Sequence, residues 1–186
     1  MVSREKIIET LKDALSEKRF KHTLNVAECA SRLAEQYGAD KEKAYLAGLL
    51  HDITKEYSLE NQLKICKKYD IILDELFLES PQLVHPITGA AVARELGADE
   101  EICTAVYEHT LGSTNMSTLS KCVWLADLIE PSRSFDGVEE MRALSREDIN
   151  KAIIAGMKRT INYLTEKGET IHPGLKCACD ALEAEK

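Results

Sequence analysis

Apolar residues recur three and four positions apart along almost the whole chain, and no segment sustains the alternation of a half-buried strand. A chain with that one period must bury its apolar stripes helix against helix, so the expected fold is all-α, a single-domain bundle spanning 1–186. The spacing predicts helices over about 3–17, 20–37, 40–53, 58–68, 71–78, 84–96, 99–110, 117–130, 146–167 and 173–184. Several end signals agree. Gly38, Gly97 and Gly168 each follow a last periodic residue, where a left-handed C-cap belongs. Pro86 falls in a first turn, and Pro131 stops the helix that carries Trp124. Ser145 with Asp148 reads as a capping box opening the long helix after it. The connections are short apart from Leu111–Met116 and Ser132–Val138, and no Pro-, Ser- or Gly-rich linker or repeat divides the chain.

Composition narrows the class. With 186 residues, 44% hydrophobic and 30% charged, the chain can build a core and is neither disordered, fibrous nor membrane-embedded in character. Its 24 Lys+Arg against 32 Asp+Glu leave a net −8, without the basic footprint of a nucleic-acid binder. A local metal or arginine cluster can still admit a small anionic substrate. None of the six cysteines forms a C-x-x-C pair, and Cys29, Cys103 and Cys122 fall in apolar helical patterns as small core residues. Residues Met1–Phe20 are charged and amphipathic, unlike a signal peptide, and no run approaches the ~20 apolar residues of a membrane span. A cytoplasmic protein without a membrane partner is expected; spare apolar helix faces leave a homodimer open.

The histidines carry the chemistry. His22 is in register with Val26, Cys29, Ala30 and Leu33 on an inward stripe. His51 lines up with Ala44, Ala47 and Gly48, a small-residue face that lets another helix approach closely. His85 precedes Gly89, Val92, Ala93 and Leu96, and His109 follows Ile102, Ala105 and Val106. Four imidazoles therefore point inward from four helices. A single buried histidine is satisfied by one carbonyl, but four each need a partner, and a shared metal or anion satisfies several together. Two acids sharpen this reading: Asp52 follows His51 after an apolar run, and Asp127 interrupts Val123–Ala126 and Leu128–Ile129. A carboxylate there is costly unless it is paired, hydrogen-bonded or bound to a metal, and the plain alternative for Asp127 is a structural ion pair, for instance with Arg133 or a Lys. His22, His51, Asp52 and Asp127 make a site of two nitrogens and two carboxylates, suited to iron, manganese or zinc. His85 and His109 would bind a second metal or the substrate. Water on such a metal becomes a nucleophile at neutral pH, which favours attack on phosphorus.

The ordered set His22, His51-Asp52, Asp127 resembles the signature of the HD-domain metal-dependent phosphohydrolase superfamily, which is all-helical. More narrowly, Arg19-Phe-Lys-His22-Thr, Ala47-Gly-Leu-Leu-His51-Asp52-Ile-Thr-Lys55, His85-Pro-Ile-Thr-Gly89, Glu108-His109-Thr110-Leu-Gly112 and Trp124-Leu-Ala-Asp127-Leu-Ile-Glu130-Pro-Ser-Arg133 resemble the YqeK family of symmetrical diadenosine tetraphosphate hydrolases. The resemblance runs from about residue 15 to 180. It implies cleavage of that dinucleotide to two ADP, with iron as the metal and one or two ions bound. It implies that His22, His51, Asp52 and Asp127 hold the iron, that His85, His109, Thr110 and Arg133 face the phosphates, and that Arg19 reaches the nucleotide. It also implies that Ile171, His172, Pro173 and Gly174 border the nucleotide. Lys55, one turn past His51-Asp52, would add a point charge, and His85 or His109 would protonate the departing ADP oxygen. The plain alternatives are solvated helix-end charges for Arg19 and Lys55 and a turn residue for His172. The runner-up functions are a nucleoside 5′-monophosphatase or guanosine tetraphosphate hydrolase on the same metal site, or a metal-loaded nucleotide-binding regulatory module. An HD-GYP phosphodiesterase is disfavoured because no Gly-Tyr-Pro element is present.

Overall fold

A computed structural model describes residues 3–185 as eleven α-helices and one 3-10 turn, with no strand among the described residues. In chain order the helices are α1 Arg4–Ala14, α2 Glu17–Tyr37, α3 Lys41–Leu50, α4 Leu59–Lys68, α5 Glu75–Glu79, α6 His85–Glu95, α7 Glu100–Glu108, α8 Thr118–Ile129, α9 Val138–Glu147, α10 Ile149–Lys167 and α11 Pro173–Ala184. The 3-10 turn, Pro81–Leu83, leads into α6.

The core sits where α2, α3, α7 and α8 meet, with α6 on α7 and α3, and α10 bridging α8, α9 and α11. Leu49, Leu50, Ile102, Val106, Val123 and Leu125 are essentially inaccessible there. The closest approach is α3 on α2. A Cβ on Gly48 would lie 2.6 Å from the Ala27 Cα, so only a glycine lets the two backbones meet. The small-residue face expected around His51 is thus a helix contact as well as the approach to the histidine.

The expected C-caps hold: Gly38, Gly97 and Gly168 all lie at positive φ. Pro86 occupies the first turn of α6, and α8 ends just before Pro131. Five features differ. The first break falls at Leu15–Ser16 rather than at 18–19, because the Ser16 hydroxyl caps α2 by accepting from the Arg19 amide. The stretch expected as helix over 71–78 begins only at Glu75, since Asp70 turns at φ 52 and Asp74 caps α5. Helix α9 was not expected at all. It opens from Gly137 at φ 94 with no side-chain cap, so the usual start marker is missing. The Ser145–Asp148 capping box is also corrected. Ser145 lies inside α9 with its hydroxyl donating to the Arg142 carbonyl, and Asp148 alone caps α10 by accepting from the Lys151 amide. Finally, His51, Asp52 and His109 fall in turns just beyond α3 and α7, not within the helices.

Candidate metal centre

Five separate segments deliver ionisable side chains to one cluster. His22 comes from α2, His51 and Asp52 from the turn after α3, His85 from the start of α6, His109 from the end of α7 and Asp127 from α8. All four histidines and Asp52 are buried, and Asp127 is partly exposed, with its side chain 25% accessible. The four histidines expected to point inward do so.

Asp52 is the hub. Its Oδ2 lies 3.3 Å from His51 Nε2, 3.9 Å from His22 Nε2 and 2.8 Å from Arg19 Nη1. Its Oδ1 lies 3.2 Å from His85 Nε2 and 3.7 Å from His109 Nε2. Asp127 Oδ1 completes the His22 side, 3.0 Å from His22 Nε2 and 3.9 Å from His51 Nε2. Arg133 also grips Asp127, donating from Nη2 to Oδ1 at 2.6 Å and from Nε to its carbonyl at 2.8 Å. The ion pair weighed against the ligand role of Asp127 is therefore present together with the histidine contacts.

Each ring is oriented through its other nitrogen. Nδ1 of His51, His85 and His109 donates to the carbonyl three residues back, that of Gly48 (2.7 Å), Gln82 (2.7 Å) and Val106 (2.6 Å) respectively. Nδ1 of His22 donates instead to the Glu130 carboxylate at 3.1 Å. A proton held on Nδ1 leaves a lone pair on Nε2, and all four lone pairs converge on the cluster.

That arrangement fits a metal ion. The Nε2 atoms of His22 and His51 are buried without a hydrogen-bond partner, a costly condition that a cation relieves. His22, His51 and Asp127 offer ligand atoms all within 4.8 Å of one another, and so do His51, Asp52 and His109. The Nε2 atoms of His85 and His109 approach to 3.0 Å, two acceptors facing each other unless a positive charge lies between them.

The local electrostatics agree. Burial pushes the Asp52 carboxyl up, but His51, His109 and His85 outweigh it and hold it well below the ordinary range. Asp127 is likewise lowered: burial opposes this, while the His22 contact, His51 and Arg133 prevail. Burial also works against charge on His51, yet Asp52, Asp127 and the Gly48 carbonyl leave its pKa raised. On the far side burial dominates and pushes His85 down to about 4. Burial thus favours the neutral ring at His85.

The remaining expected residues divide. Lys55 Nζ lies 3.3 Å from both ring nitrogens of His85, and burial lowers its pKa, so it is not a solvated helix-end charge. Arg19 is tied to Asp52 by its 2.8 Å contact from Nη1 to Oδ2. Thr110 is half-buried beside His109, its carbonyl accepting from Trp124 Nε1. His172 caps α11, its Nδ1 accepting from the Gly174 amide, as a turn residue would. It also packs against Phe77, with ring centroids 4.8 Å apart. His172 and Gly174 line a cavity of about 390 Å³ with Phe77, Pro86, Tyr107 and Leu111. Ile171 and Pro173 do not line it.

Sequence reasoning missed Glu130. It is almost fully buried, and besides His22 it accepts from Asn25 Nδ2, the Ser132 amide and the Ser132 hydroxyl. Burial opposes its charge, but the Ser132 contacts, His22 and Asn25 lower its pKa and keep it ionised. The signal was available: Glu130 follows Asp127 by three residues, as Asn25 follows His22, which places each pair on one helix face.

An all-helical bundle converging histidines and aspartates from separate segments defines a metal-dependent hydrolase of the HD type. Residues 19–185 match the HD domain, and the chain belongs to that family. It is 38% identical over 174 residues to the symmetrical bis(5′-nucleosyl)-tetraphosphatase of Halalkalibacterium halodurans, covering 92% of each chain. It is 37% identical to the protein of that name from Bacillus subtilis, over 92% of this chain and 93% of the relative. A crystal structure described as a predicted HD superfamily hydrolase involved in NAD metabolism, from Clostridium acetobutylicum, superposes with a TM-score of 0.96 at 38% identity over 100% of both chains. Family membership implies a divalent metal, in keeping with the donor set found in the fold.

Proposed function

We propose that the chain hydrolyses diadenosine tetraphosphate symmetrically, releasing two ADP. One observation carries this reading. Four imidazole lone pairs and two carboxylates converge beside Arg19, Lys55 and Arg133, which suits a polyphosphate held over a divalent metal. The names of the relatives support the same substrate.

His22, His51, Asp52 and Asp127 would hold the ion, and His85 and His109 would hold a second one or face the phosphates. Nitrogen with carboxylate oxygen suits iron, with manganese or another divalent metal as the alternative. When bound, such an ion activates water toward phosphorus and offsets charge developing on the phosphate oxygens. Arg19 and Arg133 offer planar forks to the phosphates, and Asp52 and Asp127 pre-position them. Lys55 adds a point charge at the His85 side, and Thr110 borders the same edge. The departing ADP oxygen belongs to a phosphate and is a weak base. Positioning and charge therefore carry the step, and the inward lone pairs of His85 and His109 need supply no proton.

The cavity of about 390 Å³ beside His85 and His109 has the size and apolar lining of a base pocket, with Phe77 and Tyr107 as aromatic walls. His172 Nδ1 accepts from the Gly174 amide, which leaves Nε2 buried without a partner at the cavity wall. The cytoplasm, where thiols stay reduced, suits the six free cysteines.

The test is a nucleotide panel on metal-loaded protein with product analysis. ADP as the sole product from diadenosine tetraphosphate is expected. ATP with AMP, faster turnover of a nucleoside monophosphate or guanosine tetraphosphate, or binding without turnover would each overturn the reading.

A further inference from the structure

Two separate clefts border the segments that build the metal centre. The base-sized cavity lies against the segments that carry His85 and His109. A second cleft, of about 500 Å³, meets the cluster directly, since Arg19, His22 and Arg133 form both its wall and the edge of the metal cluster. The two clefts share no lining residue.

The second cleft is polar. Beyond the two arginines it carries the exposed Lys18, the Glu56 carboxylate and the ring of Phe135. Glu56 is fixed at the rim by two bonds, accepting from the Ser16 amide and the Ser16 hydroxyl. The Phe135 ring is backed by the Arg159 guanidinium, 4.1 Å from its centroid, while Arg159 Nε donates to the Asp136 carbonyl. The cleft thus offers cations at its inner end, an aromatic ring, and a carboxylate able to accept from sugar hydroxyls.

We propose that this cleft is a second nucleoside diphosphate subsite, which takes the other half of the dinucleotide while the first half occupies the apolar cavity. The inference rests on the function proposed above. A substrate with two identical ends, cut at its middle, needs room for a nucleoside on each side of the reacting phosphorus, and the molecule supplies two unlike rooms. Specificity for a dinucleotide over a mononucleotide then resides in Lys18 and Phe135, neither of which touches the metal cluster.

The experiment compares unsubstituted protein with Phe135→Ala and Lys18→Glu, all manganese-loaded. Lys18 is exposed, so its substitution leaves folding intact even if Phe135→Ala does not. Steady-state kinetics with diadenosine tetraphosphate should show KM raised about tenfold in each variant, with kcat within about twofold. Equilibrium dialysis should show two ADP per chain at saturation for the unsubstituted protein and one for each variant. Unchanged KM in both variants with one ADP per chain throughout would overturn the subsite while leaving hydrolysis standing. No ADP released by the unsubstituted protein would overturn the function and the subsite together.

Discussion

The Nδ1 of His22 donates to Glu130 Oε1 at 3.1 Å, whereas the other three clustered imidazoles donate to backbone carbonyls. A carboxylate behind a ring raises its basicity and fixes its orientation more firmly than a carbonyl does. The His22 side of the cluster is therefore the stronger donor set. Glu130→Gln keeps the shape and removes the charge. Metal affinity should fall about 10- to 100-fold, read by competition with a chelator, while the helical circular dichroism stays the same. Unchanged affinity would show that Glu130 only packs.

The metal-free protein has a pH dependence with a definite sign at His85. Burial lowers its pKa to about 4 in the folded state, against ~6.5 in the unfolded chain. Between these values the unfolded chain binds the extra proton, so the stability His85 contributes is present above pH ~6.5 and is lost as pH falls toward 4. His51 has the opposite sign, because its raised pKa favours the folded state at lower pH. Comparison with His85→Gln isolates the first effect. Urea midpoints measured from pH 7 to 4.5 should fall more steeply with acid in the unsubstituted protein than in the variant. Parallel curves would contradict the assignment.

Gly48 serves the packing and the site together. An added Cβ would meet the Ala27 backbone at 2.6 Å, and the Gly48 carbonyl orients His51. Gly48→Ala should cost about 1–3 kcal/mol of stability, measured by chemical denaturation. It should also weaken metal binding through the displaced ring. Stability equal to the parent would mean that α2 and α3 separate without penalty.

The helical period made most of the fold legible, because every helix that carries a clustered residue also carries an apolar stripe. His22, His51, His85 and His109 were found because buried imidazoles are expensive, and Asp52 and Asp127 for the same reason. Glu130 escaped because it sits at the end of α8 just before Pro131, outside the apolar run that makes Asp127 conspicuous. Its role depends on His22, which is distant in sequence. Helix α9 escaped because Gly137 starts it without a capping side chain and Ser145 mimics a later cap. The second cleft was illegible from sequence, since it gathers residues from the start of α2, the turn after α3 and the loop after α8.

Asp52 gives the most direct test, since every clustered imidazole and Arg19 lie within 4 Å of its carboxylate. The decisive measurement is the metal content of purified Asp52→Ala beside the parent, by elemental analysis, with circular dichroism to confirm the fold. The parent should hold a divalent metal, and the variant should hold almost none and release no ADP from diadenosine tetraphosphate. Equal metal in both proteins would contradict the claim that these side chains form one cation site.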